Sequence, residues 1–185
     1  MRRLVRILTA MLATALCLVF VQGVLYAQES KADMTTYITL TVKQGVKIRM
    51  KFAAPMADVW VKVTGVKNDK EEQAPTSLQN NYQEYETTGT QVKVYGTIDK
   101  FDCYGNKENL KDLDVSKNAQ LTTLNCGDNL LISLDVSKNT QLTYLNCGSN
   151  PINTLDVSHN TLLTELYCSS TSYQLRKLDL SRIRY

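Results

Sequence analysis

The chain is 185 residues long, which gives room for about one domain. Its formal charge of +3 equals the three arginines at its N-terminal end, so the chain beyond them is neutral. That argues against general binding to nucleic-acid phosphates, which needs a surplus of Lys and Arg. Ten tyrosines carry most of the aromatic content, and tyrosine suits contact surfaces because its ring is apolar while its hydroxyl stays wet.

Arg2, Arg3 and Arg6 form a basic start, and Ile7 to Tyr26 follows with no charged residue. The run closes at Leu25-Tyr26-Ala27, before Gln28-Glu29-Ser30. Basic, apolar, then a small residue before a polar start is the layout of a secretory signal peptide, here residues 1–27, with cleavage expected after Ala27. The alternative is an uncleaved anchor, since the run is nearly long enough to span a bilayer; Gln22 and Gly23 count against it. Cys17 makes a poor lipid-attachment site, because Leu16 precedes it and it lies in mid-run. Export is the expectation, with no membrane span in the mature chain.

Residues 28–36 are polar and read as a flexible leader. From Tyr37 the pattern has period two. Ile38, Leu40 and Val42 alternate with polar residues; Gln44-Gly45 punctuates; Val46, Ile48, Met50 and Phe52 then alternate with Lys47, Arg49 and Lys51. Two strands with one buried face each are predicted, joined as a hairpin. The cationic outer face of the second reads as a solvated strand face, with an acidic-glycan patch as the alternative. Val59-Trp60-Val61-Lys62-Val63-Thr64 predicts a third strand, residues 67–81 a loop, and Gln91 to Gly96 a last strand before the next segment. Residues 37–96 thus form a small antiparallel β-rich cap unit.

The remainder, 97–185, is repetitive. Leu113-Asp114-Val115-Ser116-Lys117-Asn118 returns at Leu134 and at Leu155, twenty-one residues apart each time. Leu121-Thr122-Thr123-Leu124-Asn125-Cys126 returns as Leu142-Thr143-Tyr144-Leu145-Asn146-Cys147 at the same spacing. Diverged copies surround Cys103 and Cys168, and both end copies carry a two-residue extension, before Leu113 and before Leu178. Each L-x-C stretch should be extended, with Leu124 and Cys126 inward and Thr123 and Asn125 outward. Asn129 and Asn139 stand where a carboxamide can satisfy backbone groups left unpaired by a tight turn. One such coil cannot bury its own interior, so the coils must stack, their strands paired in parallel.

The pattern L-x-x-L-x-C-x-x-N-x-L-x-x-L-D-V-S-x-N closely resembles the leucine-rich repeat. It is similar to the twenty-one-residue variety with a cysteine in the strand, found in internalin-like proteins and in surface proteins of Bacteroidetes-type bacteria. The resemblance covers residues 97–182. It implies a mainly β solenoid of about four rungs with a parallel sheet on its concave face. It also implies a protein secreted or held on the outer surface of a bacterial cell, the periplasm being an alternative.

Cys103, Cys126, Cys147 and Cys168 share one strand position. Disulfides and zinc are the chemical alternatives, but parallel Cβ vectors suit a disulfide poorly, and zinc needs tetrahedral convergence. A buried ladder of free thiols acting as small apolar fillers is the expectation; no metal or cofactor is expected. A catalytic Cys would want a partner His and an exposed electropositive pocket. The one histidine, His159, fills the slot of Lys117 and Lys138 and reads as surface. No catalytic residue is named, and the protein is expected not to be an enzyme. A hydrolase in the N-terminal unit is the weaker alternative.

The outward strand positions form two columns, Lys100, Thr123, Tyr144, Glu165 and Asp102, Asn125, Asn146, Tyr167. They vary while the framework letters barely change, as any surface positions would. The resemblance implies that partners bind on that face, and Tyr144 and Tyr167 are its candidate aromatic anchors. Four rungs at ~4.8 Å make a face some 15–20 Å across, which suits a small protein or glycan ligand in adhesion or cell–cell recognition. A structural alternative is self-association through an open C-terminal edge.

Overall fold

The computed structural model describes residues 16–21, 24–29, 31–169 and 177–179, and all regular structure within them is strand. β1 (Leu16–Val21) and β2 (Val24–Glu29) pair antiparallel with each other. Residues 1–15, where the expected signal begins, and 180–185 lie outside the described residues.

The segment after Tyr37 gives β3 (Tyr37–Val42) and β4 (Lys47–Ala53). Ile38, Leu40, Val42, Ile48, Met50 and Phe52 are buried, as the alternation predicts. The expected hairpin does not form. β3 pairs antiparallel with β8 (Gln91–Tyr95) and β10 (Leu110–Asp114). β4 pairs antiparallel with β7 (Gln83–Glu86) and β9 (Lys100–Asp102). The turn at Gly45, whose φ of 70° favours glycine, therefore carries the chain from one sheet to the other. Period two says which side chains share a face, and both a hairpin and an arch obey it. The arch wins because the apolar faces of both strands then contribute to one core.

The first sheet has the order β10-β3-β8-β5-β6, with β5 Trp60–Thr64 and β6 Lys70–Gln73. The second adds β11 (Thr123–Asn125), β12 (Tyr144–Asn146) and β14 (Glu165–Tyr167) in the order β14-β12-β11-β9-β4-β7. β6 lies inside the predicted loop, and β7 was not anticipated. Both are sheet edges rich in Glu, Gln and Lys, and edge strands with charged side chains lose the alternation that marks a half-buried strand.

The flexible-leader expectation also needs correction over its described part. Lys31 and Ala32 donate their backbone N–H groups to Glu71 Oε1. Thr36 accepts from the Gly96 N–H at 2.9 Å, and Ala32 is buried.

From β9 onward the strands run parallel and in register, β9 to β11 to β12 to β14. Leu121, Leu124, Cys126, Leu131, Leu134 and Val136 are all buried, and their counterparts in the next coil repeat the pattern. On another side of the coils β13 (Thr154–Asp156) pairs in parallel with β15 (Lys177–Asp179). Its register joins Asp156 to Asp179, which accommodates the two-residue extension of the last copy. In the first copy a bulge between Leu110 and Asp112 takes up part of the matching extension as β10 pairs with β3.

Asparagine rows tie the coils together. Asn129 Nδ2 donates to the carbonyls of Cys103, Cys126 and Gly127, and Asn150 Nδ2 to those of Cys126, Cys147 and Gly148. In a second row, Asn139 serves the Val115 and Asn118 carbonyls, and Asn160 those of Val136 and Asn139. At the N-terminal end there is no earlier coil, and β4 takes its place. Asn106 accepts from the Arg49 N–H at 2.7 Å and donates to the Arg49 carbonyl at 2.8 Å. Asn118, first in the second row, is buried with neither side-chain polar atom hydrogen-bonded among the described residues. Both large sheets cross the junction near residue 97, and one apolar core runs from Ile38 to Leu163.

Candidate functional site

The in-register pairing aligns Lys100, Thr123, Tyr144 and Glu165 in one row and Asp102, Asn125, Asn146 and Tyr167 in the next. The residues between them in the strands, such as Leu124 and Leu145, are buried, so both rows stand on the opposite face of the sheet. The alternation thus brings the sequence-predicted residues together. Their exposure differs from end to end.

At the C-terminal end Tyr167 is half exposed, and its ring lies 5.6 Å from that of Tyr144 at an interplanar angle of 42°. Such a tilted pair is favourable beyond its buried area. The Tyr167 hydroxyl donates to Glu165 Oε2 at 3.3 Å. Burial, then the neighbouring Tyr167 and Glu165, raise the Tyr144 phenol above its ordinary pKa. Asn146 Oδ1 accepts from the Gly148 N–H at 3.0 Å. Asn125 does not repeat this, and its Oδ1 is buried without a hydrogen-bond partner.

Asp102 was expected to stand open to a ligand, and the structure corrects this: the residue is only 5% exposed. Its Oδ1 accepts from the Tyr82 hydroxyl at 2.8 Å and the Tyr104 N–H at 3.0 Å, and Oδ2 lies 3.7 Å from Lys51 Nζ. The cause is β4, which pairs Lys51 directly opposite Asp102. Burial first, then the bond to Asp102, push the Tyr82 phenol up. Lys100 lies 3.9 Å from Asp99. The strip once open to reading as an acidic-glycan patch is also engaged. Lys47 pairs with Glu84 at 3.0 Å, Arg49 Nε donates to the Tyr104 carbonyl at 2.9 Å, and the cations of Arg49 and Lys51 lie over the Tyr82 ring.

Sequence reasoning named Arg49 and Lys51 only as the cationic face of a strand, and missed two residues of this face, Tyr82 and Tyr104. Tyr104 had a usable signal. It follows Cys103 where the sister copies have Gly127 after Cys126 and Gly148 after Cys147. The structure shows why glycine suits the middle coil: a Cβ on Gly127 would come within 3.1 Å of Tyr104 Cδ2 and 3.0 Å of Asn146 Oδ1. Tyr104 and Asn146 therefore lie close over that stretch of backbone, and Tyr104 keeps 38% of its surface exposed.

Behind the face, Cys103, Cys126 and Cys147 are buried free thiols, and Cys168 is free and half-buried at the C-terminal end of the line. Burial raises all four thiol pKa values, Cys147 to about 12. Cys103, Cys126 and Cys147, out of solvent, pack as small apolar fillers. His159 is exposed, with Nδ1 3.3 Å from Ser158 Oγ. Among the described residues no group of His, Cys, Asp and Glu is arranged to hold a metal ion, and no helix is long and apolar enough to cross a membrane.

No protein-family model matches the chain, and no curated protein matches it. A similar solved structure is the functional domain of InlJ from Listeria monocytogenes, described as including a cysteine ladder. The two are 31% identical over 52% of this chain and 26% of that one, with a TM-score of 0.38. The chain thus spans about a quarter of that structure's length.

Proposed function

We propose that this is an exported leucine-rich repeat protein of internalin-like type that binds a partner through the open face of β9, β11, β12 and β14, without catalysis. The observation that carries the reading is the coincidence of a repeated framework with a varied face. The leucines, cysteines and asparagines recur at twenty-one residues and are spent on core and turns, while Thr123, Tyr144 and Glu165 replace one another at a single register position. Tyr144 and Tyr167 are the anchors, since an aromatic pair supplies large contact area at low cost in side-chain entropy. The N-terminal basic and apolar run supports export and a place at the cell surface or in the medium. The protonated, buried thiols support a non-catalytic role.

The test is a binding assay on surface extracts of neighbouring or host cells. Tyr144→Ala with Tyr167→Ala should abolish retention of the bound component, while Lys117→Ala should leave it unchanged. Unaltered retention by the double variant would remove the open face from the account.

A further inference from the structure

Resting on that recognition reading, we infer that the ligand of the open face is an uncharged oligosaccharide, seated across Tyr104, Tyr144 and Tyr167 and hydrogen-bonded by Asn146 and Glu165. Charge is the first argument. The cations at the N-terminal end of the face are committed within the protein, Lys51 to Asp102 and Lys100 to Asp99. Toward the C-terminal end the two rows are neutral apart from the exposed Glu165 carboxylate, which accepts from the Tyr167 hydroxyl. Such a surface repels sulfated, phosphorylated or sialylated ligands and accepts hydrogen bonds from hydroxyls.

Chemistry is the second argument. A pyranose ring has an apolar C–H face and a rim of hydroxyls, so it needs a flat aromatic surface bordered by amides or carboxylates. Tyr104 and Tyr167 are 38% and 51% exposed, and Tyr144 lies beside Tyr167. The close approach of Tyr104 and Asn146 to the Gly127 backbone sets aromatic and amide groups on one continuous strip.

Size is the third. A face some 15–20 Å across by ~4.8 Å strand spacing falls short of the ~1,200–2,000 Å² that a stable protein interface buries.

The experiment is binding of the purified protein to an array of defined neutral, sulfated and sialylated oligosaccharides, followed by calorimetric titration of the strongest neutral one. Binding confined to neutral glycans is expected. Tyr104→Ala, Tyr144→Ala and Tyr167→Ala should each weaken it at least about tenfold, and the corresponding Phe variants should retain it because stacking needs only the ring. Thermal melts confirm that the variants are folded. Selection of sulfated or sialylated glycans overturns the inference, as does equal weakening by Lys117→Ala. If no glycan binds, yet the Tyr144 and Tyr167 variants still lose the extract component after periodate has destroyed its sugars, the glycan assignment falls while the recognition face stands.

Discussion

Asparagine does more for this fold than its modest hydrophobicity suggests. Asn150 joins two coils through three donated bonds of 2.9, 3.0 and 3.3 Å, and its Oδ1 accepts from the Leu131 N–H at 3.0 Å. Asn150→Ala strips partners from buried carbonyls, and a lower denaturant midpoint by about 1–3 kcal/mol is expected. Asn150→Asp should cost more, because a carboxylate oxygen then faces carbonyl oxygens. Titratable groups set the pH limits. Asp135 accepts from the Ser137 N–H and Asp156 from the Ser158 N–H, at 2.9 and 2.8 Å, and these bonds hold both carboxyls below their ordinary pKa. A lowered folded value contributes stability above the unfolded pKa, lost as pH falls through the folded one, so stability should decline below about pH 4. The thiols act in the opposite direction. Their raised values contribute below the free-thiol pKa and are lost as pH rises beyond it, so melting temperatures should fall above about pH 8.5. Replacing Cys126 and Cys147 by Ala should flatten that alkaline decline.

Among the strands, β4 has the widest role. It closes the asparagine row through Arg49, pairs with β9, and covers Asp102 with Lys51. Asp102→Ala deprives the Tyr82 hydroxyl of its acceptor and Lys51 of its counter-charge, and a loss of about 1–3 kcal/mol is expected, measured by urea unfolding. Lys51→Ala should cost less, because Asp102 would keep two hydrogen-bond donors. What the sequence discloses follows from range. The coils are legible because every decision repeats at twenty-one residues, and Leu124, Cys126 and Asn129 each meet their equivalents one coil away. The arch between β3 and β4 is not, since alternation fixes the buried face and leaves the partner strand open. The burial of Asp102 is also hidden: Lys51 lies fifty-one positions upstream, and no local pattern marks the pair. Tyr104 stood in plain view as a departure from glycine.

At the scale of the molecule, the N-terminal strands and the coils share two sheets and a single interior. The N-terminal strands thereby remove the edge that a stack of parallel strands would otherwise expose at its first coil. They also shape the open face, locking its first third with charge pairs and leaving the tyrosines at the far end uncovered. All of this depends on the coils winding so that the thiols line the interior, and alkylation of the native protein measures that directly. A brief iodoacetamide pulse followed by peptide mapping should leave Cys103, Cys126 and Cys147 unmodified and label Cys168 first. Labelling of all four at the rate of the unfolded chain would contradict the stacked interior and everything built on it.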